Sequence, residues 1–373
     1  MAEEKKRLQY VDAIKGIAIL VIVVYHLLAP CVGKGIVNHM SEIFLACFFF
    51  FSGYFYKPGR RTALEEIGNR AKALMVPFFR FSLFFWAVGS AVLVLSKNET
   101  VKEAFACLRN FLIGCIWNRT IQDWFHWDYY SLGRRYFFLA DFWFLIALLF
   151  AGILFFPLAK LVMKSKIATV ITAVLLFALT GVMLHFQVVL PYNIHLVPFW
   201  TALIMLGALA GQLKLMELPG VPKGARWGIG AAALLASLVL AMLKPPSVNL
   251  FRGSFGEHEV AAMLLNIAVS IPGVWGLGIL FYNMEETGMR LNEIAWVGRN
   301  SLIFFVYHMF FAWITGIVTK VDILYKDTAP AGAVWKSVLV TLGVIALCIL
   351  RVLLENFIKK KIAGKKAKKE AQS

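Results

Sequence analysis

Hydrophobic residues dominate this chain in long blocks that short polar and charged loops separate. Such blocks are long enough to cross the hydrocarbon of a bilayer, which takes about 20 helical residues. A soluble core would be interrupted by polar positions sooner. The blocks are Ala13–Ala29, Ile43–Tyr56, Leu74–Leu95, Tyr136–Phe156, Ile167–Leu184, Leu196–Leu213, Trp227–Leu243, Ala261–Phe281, Ser301–Val318 and Val334–Leu354. The pattern predicts an all-α integral membrane protein of about ten transmembrane helices.

The second block is short for a span, and its end contains Phe51-Ser52-Gly53-Tyr54. A glycine inside a membrane helix permits either a kink or close packing against a neighbouring helix. We therefore interpret this block as a span as well, with Gly53 as the position of the kink or the contact.

Composition agrees with a membrane protein and limits the other classes. Hydrophobic residues make up 60% of the chain and charged residues 16%, whereas an ordinary soluble domain is about 45 to 50% apolar. The five cysteines are an odd number and lack metal-ligand spacing, so we expect neither a disulfide framework nor a metal. The first block is interrupted by His26 and has no small-residue cleavage site after it, so we do not expect a removable signal peptide.

Basic residues lie in alternate loops, and this distribution predicts orientation. The net charge is +17, but its spread over many loops favours membrane topology over nucleic-acid binding. The basic groups are Lys5 to Arg7, Lys57 to Lys72, Lys160 to Lys166, Lys214 to Arg226 and Lys359 to Lys369. Both termini are therefore expected in the cytoplasm. We predict a single membrane domain over residues 1–358 and a basic cytoplasmic tail over 359–373, which anionic lipid would attract.

The longest connection, Ser96–Arg135, is expected outside the cell. It contains Ala104–Trp117, which is too short to span and is typical of a re-entrant or interfacial helix. Trp124, Trp127 and Asp128 follow. They fit an aromatic belt at the membrane surface, or a platform on which sugar rings stack with an acidic hydrogen-bond acceptor beside them. The sequence leaves both interpretations open.

The first helix carries ionisable residues along one stripe. At 100° per residue, Lys15 and His26 point within about 20° of each other and lie ~16 Å apart along the axis, and Asp12 lies ~40° from His26. His26 is thus expected deep in the membrane, either as a general base or as a hydrogen-bonded packing residue. Asp12 is expected to pair with Lys15 or to cap the helix start.

The third helix begins with Arg70 and Lys72 and carries Arg80 further in. The first two fit positive-inside anchors, but Arg80 lies too far along the apolar block for that explanation alone. Helix amino ends with basic side chains also hold phosphate. The sequence therefore favours an anionic donor bound from the cytoplasm by these three residues.

Five segments together resemble the acyltransferase-3 family, and more narrowly its fucose 4-O-acetylase-like members. The segments are Tyr10 to Ile19 with His26, Phe51 to Tyr54, the basic cluster ahead of Pro77, Asp141 to Leu145, and Val297 to Leu302 followed by His308. They occur in the family's order and extend over nearly the whole chain.

The resemblance implies a ten-helix O-acyltransferase of a bacterial cytoplasmic membrane. Such an enzyme moves an acyl group, commonly acetyl from acetyl-CoA, to a hydroxyl of an extracytoplasmic or lipid-linked glycan, with no permanently bound cofactor. The family's basic residue and histidine, separated by ten residues, correspond to Lys15 and His26. Its Arg-x-x-Arg motif is matched loosely by Arg70 and Lys72, because Ala73 stands where a second arginine is expected.

On this hypothesis acyl-CoA binds near Arg70, Lys72 and Arg80, and its thioester reaches His26. The histidine either deprotonates the acceptor hydroxyl or carries the acyl group itself. His308, eight residues past the helix start at Asn300-Ser301, would line the same cavity or serve as a core histidine bonded to a carbonyl.

Further candidates for the cavity or the acceptor site are Asn300, Ser301, Asp141 and Trp143. We expect His185, His195 and His258 at the surface. The alternative function is a secondary transporter or flippase for a glycan precursor, although such proteins more often show repeats and paired broken helices. The sequence does not indicate an oligomeric state.

Overall fold

The structure is a computed structural model that describes residues 8–32, 34–59, 61–113, 133–243, 250, 253–256, 258–319 and 331–370. Within these ranges the chain is helical, without a β-strand. The helices are α1 Gln9–Val32, α2 Lys34–Tyr54, α3 Ala63–Leu95, α4 Val101–Leu112, α5 Trp143–Val162, α6 Lys166–His185, α7 Val197–Leu213, α8 Lys223–Leu243, α9 Glu259–Glu286, α10 Asn292–Arg299, α11 Ser301–Thr319 and α12 Ala331–Glu370. Two 3-10 segments, Gly133–Phe142 and Pro191–Leu196, precede α5 and α7.

The helices confirm an all-α membrane architecture. In the described ranges, 8 helical stretches are long and apolar enough to cross a membrane. Two further apolar stretches, Glu42–Tyr54 and Ser301–Gly316, are shorter. Each of these stretches overlaps one predicted block. The total of ten crossings and the cytoplasmic position of both termini remain predictions. Helix α12 continues without a break from its apolar part into the basic tail, as far as Glu370.

Helices α2 and α7 pack closely through glycines. A Cβ atom at Gly53 would overlap the carbonyl oxygen of Ile204, and one at Gly207 would overlap that of Phe50. Small residues of this kind let membrane helices approach backbone to backbone. Of the two roles predicted for Gly53, close packing is therefore confirmed.

Helix α1 lies among α2, α9, α10, α11 and α12. Its contact with α10 depends on Gly16 and Gly298, since a Cβ at Gly298 would overlap the carbonyl oxygen of Asp12. The helix start is fixed by Glu285 of α9, whose Oε2 accepts a hydrogen bond of 2.7 Å from the backbone N–H of Tyr10. This capping carboxylate was not expected from the sequence. The central position of α1 brings its polar stripe into the middle of the bundle.

The carboxyl-terminal end of α3 is tied to the 3-10 segment Gly133–Phe142 by a buried network. The Tyr136 hydroxyl donates a hydrogen bond of 2.5 Å to Glu99 Oε2 and lies 2.7 Å from Ser90 Oγ. Burial raises the pKa of Glu99. In contrast, hydrogen bonds from Thr100 lower the pKa of Glu103, which completes a capping box at the start of α4.

Helix α4, Val101–Leu112, corresponds to the predicted interfacial helix but begins before Ala104. The rest of that prediction, from residue 114 onward, lies outside the described residues.

The expectation of a surface position is wrong for His195. Its side chain is 1% exposed, since the 3-10 segment Pro191–Leu196 folds back into the bundle. Its Nε2 lies 2.9 Å from the carbonyl oxygen of Gly253, and its Nδ1 accepts a hydrogen bond of 3.3 Å from the N–H of Leu190. The pairing of both ring nitrogens explains why this histidine is buried. His185 and His258 are exposed, as expected.

Candidate functional site

Three ionisable side chains from separate parts of the chain converge inside the bundle. His26 comes from α1, Asp141 from the 3-10 segment before α5, and His308 from α11. Asp141 Oδ2 lies 3.7 Å from His26 Nε2 and 3.2 Å from His308 Nε2. The two imidazole centroids are 5.4 Å apart. We call these three residues the His-Asp-His cluster.

Helix geometry sets the depth of the cluster. His26 lies ~26 Å along α1 from Gln9, and His308 lies ~10 Å along α11 from Ser301. Asp141 is held by its neighbour Phe142, which is 1% exposed and packs edge-to-face on Phe78. Ionisable residues at such depths in membrane helices usually face a cavity and mark functional sites.

The orientation of His308 follows from its own helix. Its Nδ1 lies 2.8 Å from the carbonyl oxygen of Phe305 and 3.1 Å from that of Phe304, so this nitrogen is the donor. Its Nε2 then faces Asp141. An unprotonated Nε2 would place its lone pair against that of the carboxylate, which is unfavourable at 3.2 Å. A proton on either atom would remove this repulsion, and the pair would then be an ion pair or a neutral pair.

Solvent exposure separates the roles within the cluster. The side chain of His26 is 27% exposed, that of Asp141 is 14% exposed and that of His308 is fully buried. His26 is therefore the most exposed member of the cluster, and His308 is the most buried. This order suits an accessible acid–base group with a buried carboxylate partner.

The same cluster could also hold a cation. Its three potential ligand atoms lie within 4.8 Å of one another, and it is the single group of this kind in the described ranges. Two imidazole nitrogens and a carboxylate oxygen are donors that suit zinc or iron. A metal would require His308 Nε2 to be unprotonated, so metal binding and a proton on this nitrogen exclude each other. The sequence analysis did not anticipate this alternative.

Lys15 and Asp12 lie at the other end of the same helix. Lys15 is ~16 Å from His26 along the axis, and its Nζ lies 5.9 Å from the centroid of the Phe55 ring. Asp12 is 6% exposed. The structure thus does not bring these two predicted site residues into the His-Asp-His cluster.

The three basic residues predicted for donor binding occupy different sides of α3. Arg70 packs against α5, with its guanidinium 5.8 Å from the Phe156 centroid and its Cδ in the space that a Cβ at Gly152 would take. Its Nε is buried and makes no hydrogen bond within the described part of the chain. Lys72 and Arg80 are exposed. Arg80 lies near Glu355 of α12 instead.

The other predicted cavity residues have structural contacts. The Asn300 side chain donates a hydrogen bond of 2.8 Å to the carbonyl oxygen of Trp296 and ends α10, and α11 begins at Ser301 as predicted. Both residues lie ~10 Å or more from His308 along the axis of α11, away from the His-Asp-His cluster. The Trp143 ring lies 6.1 Å from that of Trp200. The remaining candidates, Trp124, Trp127 and Asp128, lie outside the described residues.

Glu42 is a buried acid that the sequence analysis missed. It lies on α2, is 5% exposed and interacts with the side chain of Asn266 on α9. The sequence does show where to look, because Glu42 directly precedes an apolar block, and a carboxylate there is costly unless it has a partner.

Comparison with known proteins gives one match. The model of the acyltransferase-3 family, described as an acyltransferase domain, matches residues 8–352. The matched range contains the complete His-Asp-His cluster and all helices up to the apolar part of α12. No curated protein and no solved structure matches the chain.

Proposed function

This chain belongs to the acyltransferase-3 family, and on that premise we propose that it is a membrane O-acyltransferase whose reactive group is His26. The donor is acyl-CoA, with acetyl as the first candidate, and the acceptor is a hydroxyl of an extracytoplasmic or lipid-linked glycan. The fucose 4-O-acetylase-like members are the part of the family that its motifs resemble most.

The contact between His26 and Asp141 carries this proposal. An accessible imidazole 3.7 Å from a buried carboxylate can accept a proton, because the carboxylate stabilises the resulting imidazolium. His308 Nε2 lies 3.2 Å from the same carboxylate oxygen. A histidine held only for packing would not need a carboxylate in this position.

In the direct route, the His26 imidazole takes the proton of the acceptor hydroxyl while the hydroxyl oxygen attacks the thioester carbonyl. The tetrahedral intermediate then expels the CoA thiolate, which receives the proton from the imidazolium. In the covalent route, neutral His26 attacks the thioester carbonyl and expels the CoA thiolate, which leaves an acyl-imidazolium. The acceptor hydroxyl then attacks this acyl group, its proton passes to the CoA thiolate, and His26 is released as neutral imidazole. Asp141 stabilises positive charge on His26 in both routes.

Lys15 and Arg70 are proposed to bind the phosphates of the donor. Arg70 is supported by its free Nε and by its position against Gly152. Lys15 is supported by its place on α1, ~16 Å from His26, a separation that the long pantetheine arm can cross. Lys72 and Arg80, the other basic residues expected there, are exposed on other sides of α3.

The proposal is tested by purifying surface and lipid-linked glycans from cells with and without the protein and comparing their masses. The expected difference is one acyl group per modified residue, which also identifies the acyl chain. Purified protein in proteoliposomes should move label from acyl-CoA to the same glycan, and a chelator should not stop the transfer. Glycan flux across the membrane without acylation would favour a transporter instead.

A further inference from the structure

Arg80 is an arginine on a lipid-facing surface. Its neighbours Phe79, Leu83 and Phe84 are 48%, 40% and 52% exposed, and in a membrane this exposure is to lipid. Arg80 is itself exposed, and its guanidinium lies 5.6 Å from the centroid of the Phe81 ring. A guanidinium among lipid-exposed apolar side chains is costly unless an anion compensates it.

Helix α12 places further charges beside Arg80. Glu355 accepts from Lys359 at 2.7 Å and from Arg351 at 3.1 Å, and it also lies within electrostatic range of Arg80. Three positive charges thus surround one negative charge, which leaves an excess of two. Within the described ranges, no acidic side chain other than Glu355 forms an ion pair with this group.

Tyr307 of α11 joins the two arginine-bearing helices. The Arg351 guanidinium lies 5.0 Å from the centroid of the Tyr307 ring, and that ring meets Phe81 edge-to-face at 5.5 Å. Cation–π contacts fix the orientation of a guanidinium and leave its N–H groups available. We call Arg80, Tyr307, Arg351, Glu355 and Lys359 the arginine groove.

The groove lies where the apolar part of α12 ends. Leu350 and Leu354 are 60% and 50% exposed, and the lysines of the tail follow. The distance from Arg351 to Lys359 along the helix is ~12 Å. The groove therefore extends from the hydrocarbon to the level at which lipid headgroups carry their phosphates.

We propose that the arginine groove binds the phosphate of an anionic phospholipid, whose acyl chains lie along the exposed apolar side chains of α3 and α12. The geometry of guanidinium groups matches phosphate oxygens. The excess positive charge favours an anionic headgroup over a zwitterionic one. Acyl-CoA also carries phosphate, but Arg70, its proposed partner, faces α5 rather than α12.

The test uses the full-length protein in phosphatidylcholine nanodiscs with and without phosphatidylglycerol. Native mass spectrometry measures retained phosphatidylglycerol, and a thermal shift measures the stabilisation that it provides. The double variant Arg80→Gln with Arg351→Gln should lose about 30-fold in phosphatidylglycerol affinity, since each basic side chain near the surface contributes about fivefold.

The control double variant is Arg61→Gln with Lys214→Gln, which removes the same charge at exposed residues outside the groove. It should retain phosphatidylglycerol. Equal losses in both double variants would show general charge attraction and overturn the site. Arg80→Gln alone provides the same test if the groove double variant does not fold. Displacement of the lipid by acyl-CoA would assign the groove to the donor and also overturn the proposal.

Discussion

The Asp141→Asn variant keeps the shape of the side chain and removes its charge. In the structure this carboxylate lies 3.7 Å from His26 Nε2. At an effective dielectric constant of about 20, a charge pair at that separation is worth about 4 kcal/mol. Partial exposure of His26 weakens this interaction. We therefore expect Asp141→Asn to remove about 2 to 4 kcal/mol of the stabilisation that positively charged His26 receives. This loss corresponds to a turnover decrease of roughly 30- to 1,000-fold.

The assay measures acyl transfer at saturating donor, donor affinity by a separate binding measurement, and thermal stability in detergent. We expect the turnover to fall and the donor affinity to stay unchanged, because the proposed phosphate contacts lie at the other end of α1. Glu42→Gln is the matched control, as it makes the same chemical change at a buried carboxylate outside the cluster. Turnover of Asp141→Asn within a few-fold of wild type would refute the electrostatic role. An equal fall in turnover in Asp141→Asn and Glu42→Gln would also refute the electrostatic role of Asp141.

Three further predictions concern packing, the donor site and pH. Gly298→Ala should destabilise the protein by roughly 1 to 3 kcal/mol through overpacking, whereas Gly343→Ala, which meets open space, should leave the melting temperature unchanged or higher. Gly152→Leu should displace Arg70 and weaken donor binding about tenfold, with little change in turnover at saturating donor. Burial raises the pKa of Glu99, so wild-type stability should fall as pH rises above about 4. When melting temperatures are measured from pH 4 to 7, Glu99→Gln should lack this pH-dependent loss of stability. The same pH dependence in wild type and variant would contradict the role of Glu99.

The sequence predicted the helices because each apolar block is a local pattern. Close packing at Gly53 was one of two roles that the sequence allowed, the other being a kink, and the structure shows the packing. The family predicted from the motifs is confirmed by the match over residues 8–352. These features depend on neighbouring residues or on short motifs, which sequence reasoning handles well.

Features that depend on contacts between residues far apart in the sequence were harder to predict. Asp141 was recognised only as a cavity candidate, because nothing local shows that the 3-10 segment carries it to His26. His195 was expected at the surface because it lies in a loop between two apolar blocks, yet partners on Leu190 and Gly253 make its burial favourable. The division of basic residues between two sides of α3 likewise required knowledge of which helices α3 packs against.

The central claim is that His26 is the reactive group of an acyltransferase site. The most direct measurement is acyl transfer by purified His26→Ala, together with donor binding and thermal stability, and with exposed His185→Ala as the matched control. We predict a loss of at least roughly a hundred- to ten-thousand-fold in transfer, with donor binding and melting temperature near those of wild type. Near-normal transfer by a folded His26→Ala protein would contradict the account and leave His26 as a packing residue.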